Sequence, residues 1–351
     1  MGNRLSPNSF AQLRDFLSRE FGLFFDASKV TFLENRILPF IDRMNCLDMN
    51  QFIAKIQENP HQRRELLDAL TTNETWFFRH PRHFDILREE ILEPLVRQRA
   101  RTGSKTLAIW SAGSSIGAEA YSIAITVREV LPHPSDWEVR ILGSDISGEA
   151  IQRANKGLYS AKELKLLSRA LLHKYFLPQA GAGFQVKPDL AALVTFEQMN
   201  LLDPWPPRVF DVIFCRNTMI YFHEETKATL TERFYKALAL GGTFFTSATE
   251  TLHWQGEKAF EKIFVHGEYI YRKPGAGRPF VLYRFNTPAD LLRALNMLVK
   301  HQFDYQLLNI VQEAPNHPRK AIFIPKAIEA RVEQMFAAAN LKTARREDIL
   351  K

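Results

Sequence analysis

A short apolar run that turns through glycine into a helix constrains the fold of this chain more than any other feature. Leu107–Trp110 forms the run, Gly113 and Gly117 interrupt the segment after it, and Ala118–Ala124 has the composition of a helix. A strand, a tight turn and a helix in this order are the first half of a β-α-β unit. Val139–Asp145 is expected to be a second strand, and it ends in an acid.

Strands and helices keep alternating further along the chain. Strands are expected at Val194–Glu197, Phe210–Cys215 and Gly242–Ser247, and helices at Gly148–Asn155 and Glu224–Leu240. Strands that alternate with helices build a parallel sheet that is covered by helices on both faces. The sequence therefore predicts an α/β fold with a doubly wound, mostly parallel sheet.

The alternation is interrupted between Ser160 and Asn200. A helical stretch, Leu164–Phe176, is expected there, and a short strand follows at Phe184–Lys187. We interpret residues 160–198 as a small insertion into the sheet domain.

The residues before the sheet domain have helical periodicity. Apolar side chains between residues 8 and 70 recur at helical spacing, as at Leu33, Ile37, Phe40, Ile41 and Met44. This pattern predicts a helical domain over residues 1–72, followed by the sheet domain over residues 73–273. Pro81 is expected to begin a further helix, which ends near Pro94 or soon after it.

The positive charge of the chain is concentrated at its C-terminal end. Residues Tyr271–Lys351 contain 14 Lys and Arg but seven Asp and Glu, which accounts for the whole net charge of +7. Helices are expected there at Ala289–Leu298 and Ile328–Ala338. A basic extension suits nucleic acid, an acidic protein, an anionic lipid surface or a general role in solubility. The sequence leaves the role of residues 274–351 open.

Composition excludes several classes of protein. Apolar residues make up 46% of the chain, which supports packed cores, and no run of about 18 uncharged apolar residues would insert in a membrane. Only Cys46 and Cys215 are present, so we expect a cytoplasmic protein without a disulfide framework. His80 and His83 lack an accompanying cluster of acids or cysteines, and no metal site is predicted. We expect the chain to act as a monomer.

The strand, glycine turn and helix are typical of a nucleotide site. A glycine-containing turn at the start of a helix presents free backbone N–H groups, and an acid at the end of the next strand can bind a ribose diol. Gly113, Gly117 and Asp145 meet this description. On these residues alone, NAD is as plausible a cofactor as S-adenosylmethionine.

Two longer motifs flank this site. Asn73-x-Thr75-x-Phe77-Phe78-Arg79 precedes it, and Cys215-Arg216-Asn217-x-Met219-Ile220-Tyr221-Phe222 follows it. In this order the motifs resemble the CheR family of chemotaxis receptor methyltransferases, over about residues 10–273. The resemblance implies a class I S-adenosylmethionine-dependent methyltransferase fold with an N-terminal helical domain and an inserted β-subdomain. It also implies a protein-glutamate O-methyltransferase that uses S-adenosylmethionine and releases S-adenosylhomocysteine.

The glycine turn departs from the pattern of this family. The family sequence reads Trp-Ser-Ala-Gly-Cys-Ser-Thr-Gly-Glu-Glu-Pro-Tyr-Ser, and Trp110–Ser122 is in register with it. The differences are at Ser114, Ile116, Ala118 and Ala120. Because Ile116 removes a hydroxyl and Ala118 a carboxylate, weaker cofactor binding is expected. Of the family's later Gly-His-Ser-Glu segment, only Glu250 is kept.

The resemblance implies a set of cofactor-binding residues. They are Asn73, Thr75, Arg79, Gly113, Gly117, Glu119, Asp145, Asn200, Leu201, Arg216 and Asn217. Within this set, Glu119 is expected to bind the methionine ammonium and Asp145 the ribose hydroxyls. Asn200 and Leu201 are expected to approach the adenine.

The implied reaction requires no general base. A glutamate carboxylate, with a pKa of about 4.3, is already ionised near neutral pH, so alignment and desolvation supply most of the rate. Arg79 and Tyr221 are the expected catalytic residues, which orient this carboxylate or shape the pocket for methyl transfer. The expected partner is the acidic cytoplasmic domain of a methyl-accepting chemoreceptor. Lys29, Arg36 and Arg43, seven residues apart on one helical stripe, are expected to bind it.

Three other functions fit parts of the sequence. A noncatalytic S-adenosylmethionine-binding signalling module would keep the fold and lose turnover through the altered turn. An NAD-dependent dehydrogenase would give the Asn73–Arg79 segment no role. A nucleic-acid methyltransferase would use the basic extension, but an Asn-Pro-Pro-Tyr or similar base-flipping signature is absent, so no nucleic-acid partner is expected.

Overall fold

The computed structural model describes most of the chain. The described residues are 4–71, 75–181, 183–248, 250, 252, 260–275, 280–285, 290, 293–294, 296–297, 306–310, 319–325, 329–338 and 343–345. The chain divides into two compact units. The first comprises Met1–Phe260 and Phe264–Lys273, and the second comprises Glu261–Ile263 and Pro274–Lys351.

Four helices form the N-terminal part of the first unit. They are α1, Pro7–Phe21; α2, Val30–Arg43; α3, Met49–Glu58; and α4, Pro60–Leu70. The side chains of Ser6, Asp48 and Asn59 each accept a backbone N–H from the first turn of the helix that follows, which fixes where α1, α3 and α4 begin. Leu13 and Phe52 are fully buried where the helices pack together. The helical character predicted for this region is confirmed.

The helix that begins at Pro81 extends well beyond Pro94, contrary to the prediction. It consists of α5, Pro81–Ile86, a π-helical turn, Leu87–Leu92, and α6, Glu93–Thr102. Proline lacks an N–H, and its ring presses on the preceding turn of a regular α-helix. The wider π-helical turn lies directly before Pro94 and relieves this clash, so the helix continues through the proline.

The remaining elements of the first unit alternate between strand and helix. They begin with β1, Thr106–Ala112; α7, Ala118–Val130; β2, Glu138–Asp145; α8, Gly148–Lys156; β3, Leu158–Tyr159; α9, Arg169–Tyr175; β4, Phe176–Gln179; β5, Gly183–Val186; and α10, Pro188–Ala191. They continue with β6, Val194–Gln198; β7, Phe210–Phe214; α11, Glu224–Ala237; β8, Leu238–Phe245; β9, Glu261–Val265; and β10, Glu268–Arg272. The first three residues of β9 are grouped with the second unit.

Seven of these strands form one sheet in the order β6-β2-β1-β7-β8-β10-β9. The first five are parallel, and β10 is antiparallel to β8. The chain moves outward from β1 through β2 to β6, then returns beside β1 with β7 and continues to β8. Ligands of such sheets bind outside the carboxyl ends of the strands, where the order reverses. The predicted doubly wound, mostly parallel sheet is confirmed.

The insertion contains less helix and more strand than predicted. Of the expected helix Leu164–Phe176, only α9 forms, because the Ser168 side chain caps the backbone N–H of Leu171 and so begins the helix late. Phe176 already belongs to β4. The strands β3, β5 and β4 form a small antiparallel sheet in that order, which is the β-subdomain that the family resemblance implied.

The predicted boundary between α11 and β8 was misplaced. The helix was expected to reach Leu240, but it ends at Ala237, and β8 begins at Leu238. The hairpin strands β9 and β10 were not predicted at all.

The second unit has its own antiparallel sheet. Its elements are β11, Phe280–Phe285; β12, Gln306–Ile310; β13, Arg319–Pro325; α12, Glu329–Ala338; and β14, Thr343–Arg345. The strand order is β12-β13-β11-β14, with antiparallel neighbours throughout.

The sequence predicted helices but no strands in this unit. The expected helix Ile328–Ala338 matches α12, although Ile328 itself lies outside the described residues. Of the expected helix Ala289–Leu298, residues 290, 293, 294, 296 and 297 are helical, and the others lie outside the described residues. When the helical residues between β11 and β12 are included, the described elements of this unit follow one another in a β-α-β-β-α-β order.

Both cysteines are buried in the first unit. Cys46 is 8% exposed, and Cys215, directly after β7, is fully buried. Burial raises the pKa of the Cys215 thiol well above its usual value. Within the described ranges, every helix is too short or too polar to span a lipid bilayer, and no three His, Cys, Asp or Glu side chains are grouped like metal ligands.

Candidate active site

A cleft opens at the carboxyl ends of β1, β2 and β7. The space within it, together with open solvent at its mouth, amounts to about 960 Å³. Ten of the predicted cofactor-binding and catalytic residues line it: Thr75, Arg79, Gly113, Glu119, Asp145, Asn200, Leu201, Arg216, Asn217 and Tyr221. Asn73, the remaining predicted residue of the first motif, lies outside the described residues.

The turn after β1 requires glycine at position 113. Gly113 has a φ of 80°, and a Cβ there would lie 2.0 Å from Oγ1 of Thr218. The backbone N–H groups of Gly113 and Ser114 donate to the Ser144 carbonyl oxygen at 2.7 and 2.8 Å. The turn is therefore fixed to the end of β2, and its backbone can come close to a ligand.

Gly117 lies outside the lining of the cleft, although the resemblance implied that it binds the cofactor. It begins α7 with a φ of 85°, and a Cβ there would lie 2.7 Å from the Phe196 ring. Its neighbours Ile116 and Ala118 are also buried outside the lining, and the Ile116 carbonyl oxygen accepts the Tyr159 hydroxyl at 2.7 Å. These two departures from the family pattern therefore lie in the packing below the turn and not in the wall of the cleft.

Asp145 presents its carboxylate to the cleft from the end of β2. Its Oδ2 accepts the Ser115 N–H at 2.8 Å, and its Oδ1 accepts the Ser147 N–H at 2.9 Å. Each carboxylate oxygen keeps a lone pair for a ligand hydroxyl. Burial raises the pKa of Asp145, while the two N–H groups oppose this shift by stabilising the ionised form.

A buried ion pair crosses the cleft between α7 and the end of β7. Nη1 of Arg216 lies 3.4 Å from Oε2 of Glu119, and Ser111 donates its hydroxyl to Oε1 at 2.8 Å. Burial raises the pKa of Glu119, against the effect of Arg216, and burial also lowers the pKa of Arg216. Nη2 of Arg216 donates to the Arg79 carbonyl oxygen at 2.6 Å. Its Nε and Nη1 are buried and have no hydrogen-bond acceptor among the described residues.

Glu250 anchors the loop that carries Arg216 and Asn217. Its Oε2 accepts the N–H of Asn217 at 2.7 Å and both the N–H and the hydroxyl of Ser247, at 3.1 and 2.6 Å. Its Oε1 accepts the N–H of Ile220 at 3.2 Å. The Glu250 side chain is buried, and Asn217 has a φ of 58°, a left-handed conformation that is uncommon for non-glycine residues but is adopted more readily by asparagine than by most. The sequence singled out Glu250 only as a retained family residue and assigned it no role.

Arg79 and Tyr221 reach the cleft from different parts of the chain. The Arg79 guanidinium lies over the Trp76 ring, with Cζ 5.0 Å from its centroid. Tyr221 packs partly against the N-terminal helices, and its carbonyl oxygen accepts the Phe24 N–H at 2.7 Å. The structure thus brings the two expected catalytic residues into one cleft.

The three predicted substrate-binding cations do not line the cleft. Lys29 ends the short turn before α2, so it lies outside the regular helix. Arg36 donates to the Ala69 carbonyl oxygen at 3.0 Å, and Arg43 pairs with Glu65 at 2.8 Å. The two arginines are therefore engaged with α4.

Sequence reasoning missed nine residues of the lining. They are Leu23, Thr71, Phe84, Ser114, Ser115, Ile146, Met199, Thr218 and Phe222. Five of them directly adjoin a predicted residue and could have been found by extending each motif by one position: Ser114, Ile146, Met199, Thr218 and Phe222. Ser115 adjoins Ser114 of the lining, and Thr71 lies two positions before Asn73. Leu23 and Phe84 reach the cleft through helix packing, for which no local pattern gives a signal.

The lining fits S-adenosylmethionine in its chemistry. Asp145 offers acceptors for ribose hydroxyls, and Glu119 offers an anion for an ammonium group. The Nε donor of Arg216 suits a ligand carboxylate, because such a buried donor is costly when it remains unpaired. Met199 and Leu201 provide apolar surface for a purine ring.

The glycine turn and the acid at the end of β2, in a seven-stranded sheet whose strand β10 is antiparallel to β8, are the features of class I S-adenosylmethionine-dependent methyltransferases. Residues 8–71 match the all-alpha domain of CheR methyltransferases, and residues 73–268 match their S-adenosylmethionine-binding domain. The chain therefore belongs to the CheR methyltransferase family, and S-adenosylmethionine is its cofactor.

Similar proteins agree with this assignment. The chain is 35% identical, over 73% of its length, to a probable chemotaxis protein methyltransferase of Rhizobium etli, of which it covers 97%. It is 32% identical, over 70% of its length, to the chemotaxis protein methyltransferase of Escherichia coli, of which it covers 85%. Magnesium protoporphyrin IX methyltransferase of Synechocystis is similar over 61% of this chain and 82% of its own, at 14% identity and a TM-score of 0.29, which is too low to carry an argument.

Proposed function

We propose that this protein transfers methyl groups from S-adenosylmethionine to glutamate side chains of a methyl-accepting chemoreceptor or related signalling receptor, and so forms methyl esters. One observation carries this proposal. A single cleft combines acceptors for the cofactor, Asp145 and Glu119, with a guanidinium and a phenol, Arg79 and Tyr221, that can hold a carboxylate. The similarity to proteins named chemotaxis protein methyltransferases supports the receptor as substrate.

The residues of the cleft have separate tasks in this proposal. Asp145 binds the ribose, Glu119 binds the methionine ammonium, and Asn200 with Leu201 borders the adenine. When bound, S-adenosylmethionine supplies a methyl group on a positively charged sulfur. Asn73, Thr75, Arg216 and Asn217 complete the enclosure of the cofactor, and Gly113 and Gly117 shape the turn beneath it.

Arg79 and Tyr221 act on the substrate side. The glutamate carboxylate is an ionised nucleophile at neutral pH, so the protein has no proton to remove. A guanidinium hydrogen-bonds a carboxylate in a fixed plane, which orients one oxygen toward the methyl group. Exclusion of water from the cleft removes the hydration shell of the carboxylate and increases its reactivity. Positioning and desolvation are therefore the catalytic contributions that we assign to this chain.

The proposal includes an organisation and a setting for the protein. A helical domain spans residues 1–72, the methyltransferase domain spans residues 73–273, and residues 274–351 form a basic extension. The substrate is the cytoplasmic part of a receptor, so the protein acts in the cytoplasm, as a monomer and without a nucleic-acid partner. A noncatalytic cofactor-binding module remains the competing proposal, but the departures that suggested it, Ile116 and Ala118, lie outside the cleft lining.

The test is methyl transfer to receptor membranes. The purified protein is incubated with S-adenosylmethionine that carries a tritiated methyl group and with membranes that contain the methyl-accepting receptors of the same organism. A methyl ester releases its label as methanol in mild alkali, whereas an N-methyl group does not. Arg79→Gln should abolish the alkali-labile label, and Arg82→Gln, at an exposed arginine nearby, should retain it.

Each outcome has a distinct meaning. Alkali-labile label that depends on Arg79 supports the proposal. Label that is stable to alkali would show that the methyl acceptor is a group other than a glutamate carboxylate. Calorimetric binding of S-adenosylmethionine without any transfer would favour the noncatalytic module.

A further inference from the structure

Two cations share one tryptophan ring beside the active-site cleft. Nζ of Lys165 lies 3.9 Å from the centroid of the Trp76 ring, and Cζ of Arg79 lies 5.0 Å from it. The two charges are therefore at most 8.9 Å apart, the sum of the two distances. Arg79 lines the cleft, whereas Lys165 is exposed and comes from the turns that follow β3. Lys165 thus extends the positive charge of the cleft toward solvent.

The turn that carries Lys165 is fixed in place through Glu163. The Glu163 carbonyl oxygen accepts the Phe77 N–H at 2.9 Å, which joins this turn to the segment between Trp76 and Arg79. The Glu163 carboxylate accepts the N–H and the hydroxyl of Ser160, at 2.8 and 2.9 Å, and a guanidinium N–H of Arg153 at 2.9 Å. A cation held in advance loses little conformational freedom when it binds a ligand.

Lys165 is also available for an anion. In the part of the chain that the structure describes, no carboxylate forms an ion pair with it, and the nearby carboxylate of Glu163 is already used by Arg153. A cation over an aromatic ring keeps ammonium N–H donors that point away from the ring. In contrast, the predicted substrate cations Arg36 and Arg43 are engaged with α4.

The upper bound on the distance between the two cations allows both of them to contact one acidic helix. Side chains one helical turn apart have Cβ atoms roughly 5–6 Å apart, and flexible glutamate side chains extend this range. A helix that presents one glutamate to Arg79 therefore brings a second acid, one turn away, within reach of Lys165. We infer that Lys165, held on Trp76, binds a second carboxylate of the substrate, so the enzyme prefers helices with paired acids. This inference rests on the proposed function.

The test measures substrate preference in Lys165→Gln and in a matched control, Lys162→Gln, which removes an exposed lysine from the same turn. Two labelled, hydrocarbon-stapled helical peptides serve as probes. One carries two glutamates one turn apart, and the other replaces the second glutamate by glutamine. Fluorescence anisotropy gives their affinities for the full chain saturated with S-adenosylhomocysteine, and KM and kcat are measured with receptor membranes.

Lys165→Gln should raise KM for receptor about twofold to fivefold, since an exposed charge pair contributes modestly. It should leave kcat and the Kd of S-adenosylmethionine unchanged. Wild type and Lys162→Gln should prefer the two-acid peptide, and Lys165→Gln should lose this preference. Equal preference in Lys165→Gln and wild type would overturn the inference while methyl transfer continued. A Lys165-dependent preference without any methyl transfer would overturn the proposed function and reduce the inference to the binding of paired acids by Lys165; absence of both would overturn both.

Discussion

Replacement of Glu250 by glutamine tests how the cleft is held together. The carboxylate accepts four hydrogen bonds, three at Oε2 and one at Oε1. Glutamine retains one acceptor oxygen. If that oxygen takes the Oε2 position, the amide nitrogen of the glutamine faces the N–H of Ile220. Two hydrogen-bond donors then oppose each other. The opposite orientation places the amide nitrogen against Asn217 and Ser247 and costs more.

The magnitude follows from the number and charge of these bonds. A hydrogen bond to an ionised acceptor contributes about 1.5–3 kcal/mol, compared with about 0.5–1.5 kcal/mol for a neutral one, and a buried unpaired donor costs about 1–3 kcal/mol. The loop with Arg216 and Asn217 should therefore relax in the free Glu250→Gln protein. Cofactor binding must then restore the loop conformation. This should weaken the binding free energy by at least about 2 kcal/mol, which is a roughly 30-fold rise in Kd.

The assay is calorimetric titration with S-adenosylmethionine and S-adenosylhomocysteine at pH 7. Glu225→Gln, which neutralises an exposed acid at the start of α11, is the matched control and should bind like wild type. A cooperative thermal melt of Glu250→Gln establishes that the protein is folded. If the folded variant bound the cofactor within about threefold of wild type, the hydrogen bonds of Glu250 would not determine the loop conformation, and the reasoning would be refuted.

Three further predictions follow from the structure. Asp145→Asn removes the charge and one acceptor oxygen, so calorimetry should show about tenfold to 100-fold weaker cofactor binding; unchanged affinity would contradict the ribose assignment. Burial, together with Arg216 and His80, lowers the pKa of His83 to about 3, so below pH 6.5 the unfolded chain binds a proton that the folded chain does not. The free energy of unfolding should therefore fall from pH 6.5 toward pH 3 by at most about 1.4 kcal/mol per pH unit. In urea unfolding between pH 6.5 and pH 5, His83→Gln should reduce this slope; parallel curves for the variant and the wild type would exclude the effect. Residues 274–351 produced alone should melt cooperatively with a mixed α/β circular dichroism spectrum, because they have their own sheet and bury Val332 and Phe336 of α12; a random-coil spectrum would contradict this.

Local patterns were sufficient to predict the centre of the fold. The apolar run before Gly113 and the acid at the end of β2 each depend on a few consecutive residues, and both lie where the sequence indicated. Elements whose limits depend on distant partners were harder to predict. The strand β8 begins inside the predicted helix because Leu238 pairs with Phe210 of β7.

The candidate site shows the same division. Motif residues such as Asp145 and Arg216 were found because their neighbours in sequence carry the signal. Glu250 was not assigned a role, because the two hydrogen bonds that hold the loop reach backbone groups about 30 positions earlier and no spacing rule relates them. The strands of the second unit escaped prediction because short apolar runs such as Ala321–Pro325 do not distinguish strand from buried helix by periodicity alone.

The burial of both cysteines provides an internal chemical reporter of unfolding. Cys46 lies among the N-terminal helices and Cys215 at the end of a central strand of the sheet, so each thiol belongs to a different part of the first unit. Alkylating reagents attack exposed thiolates, and Cys215 is both enclosed and held protonated. Mass spectrometry after a pulse of iodoacetamide would therefore show which part of the unit opens first during denaturation, without any engineered label.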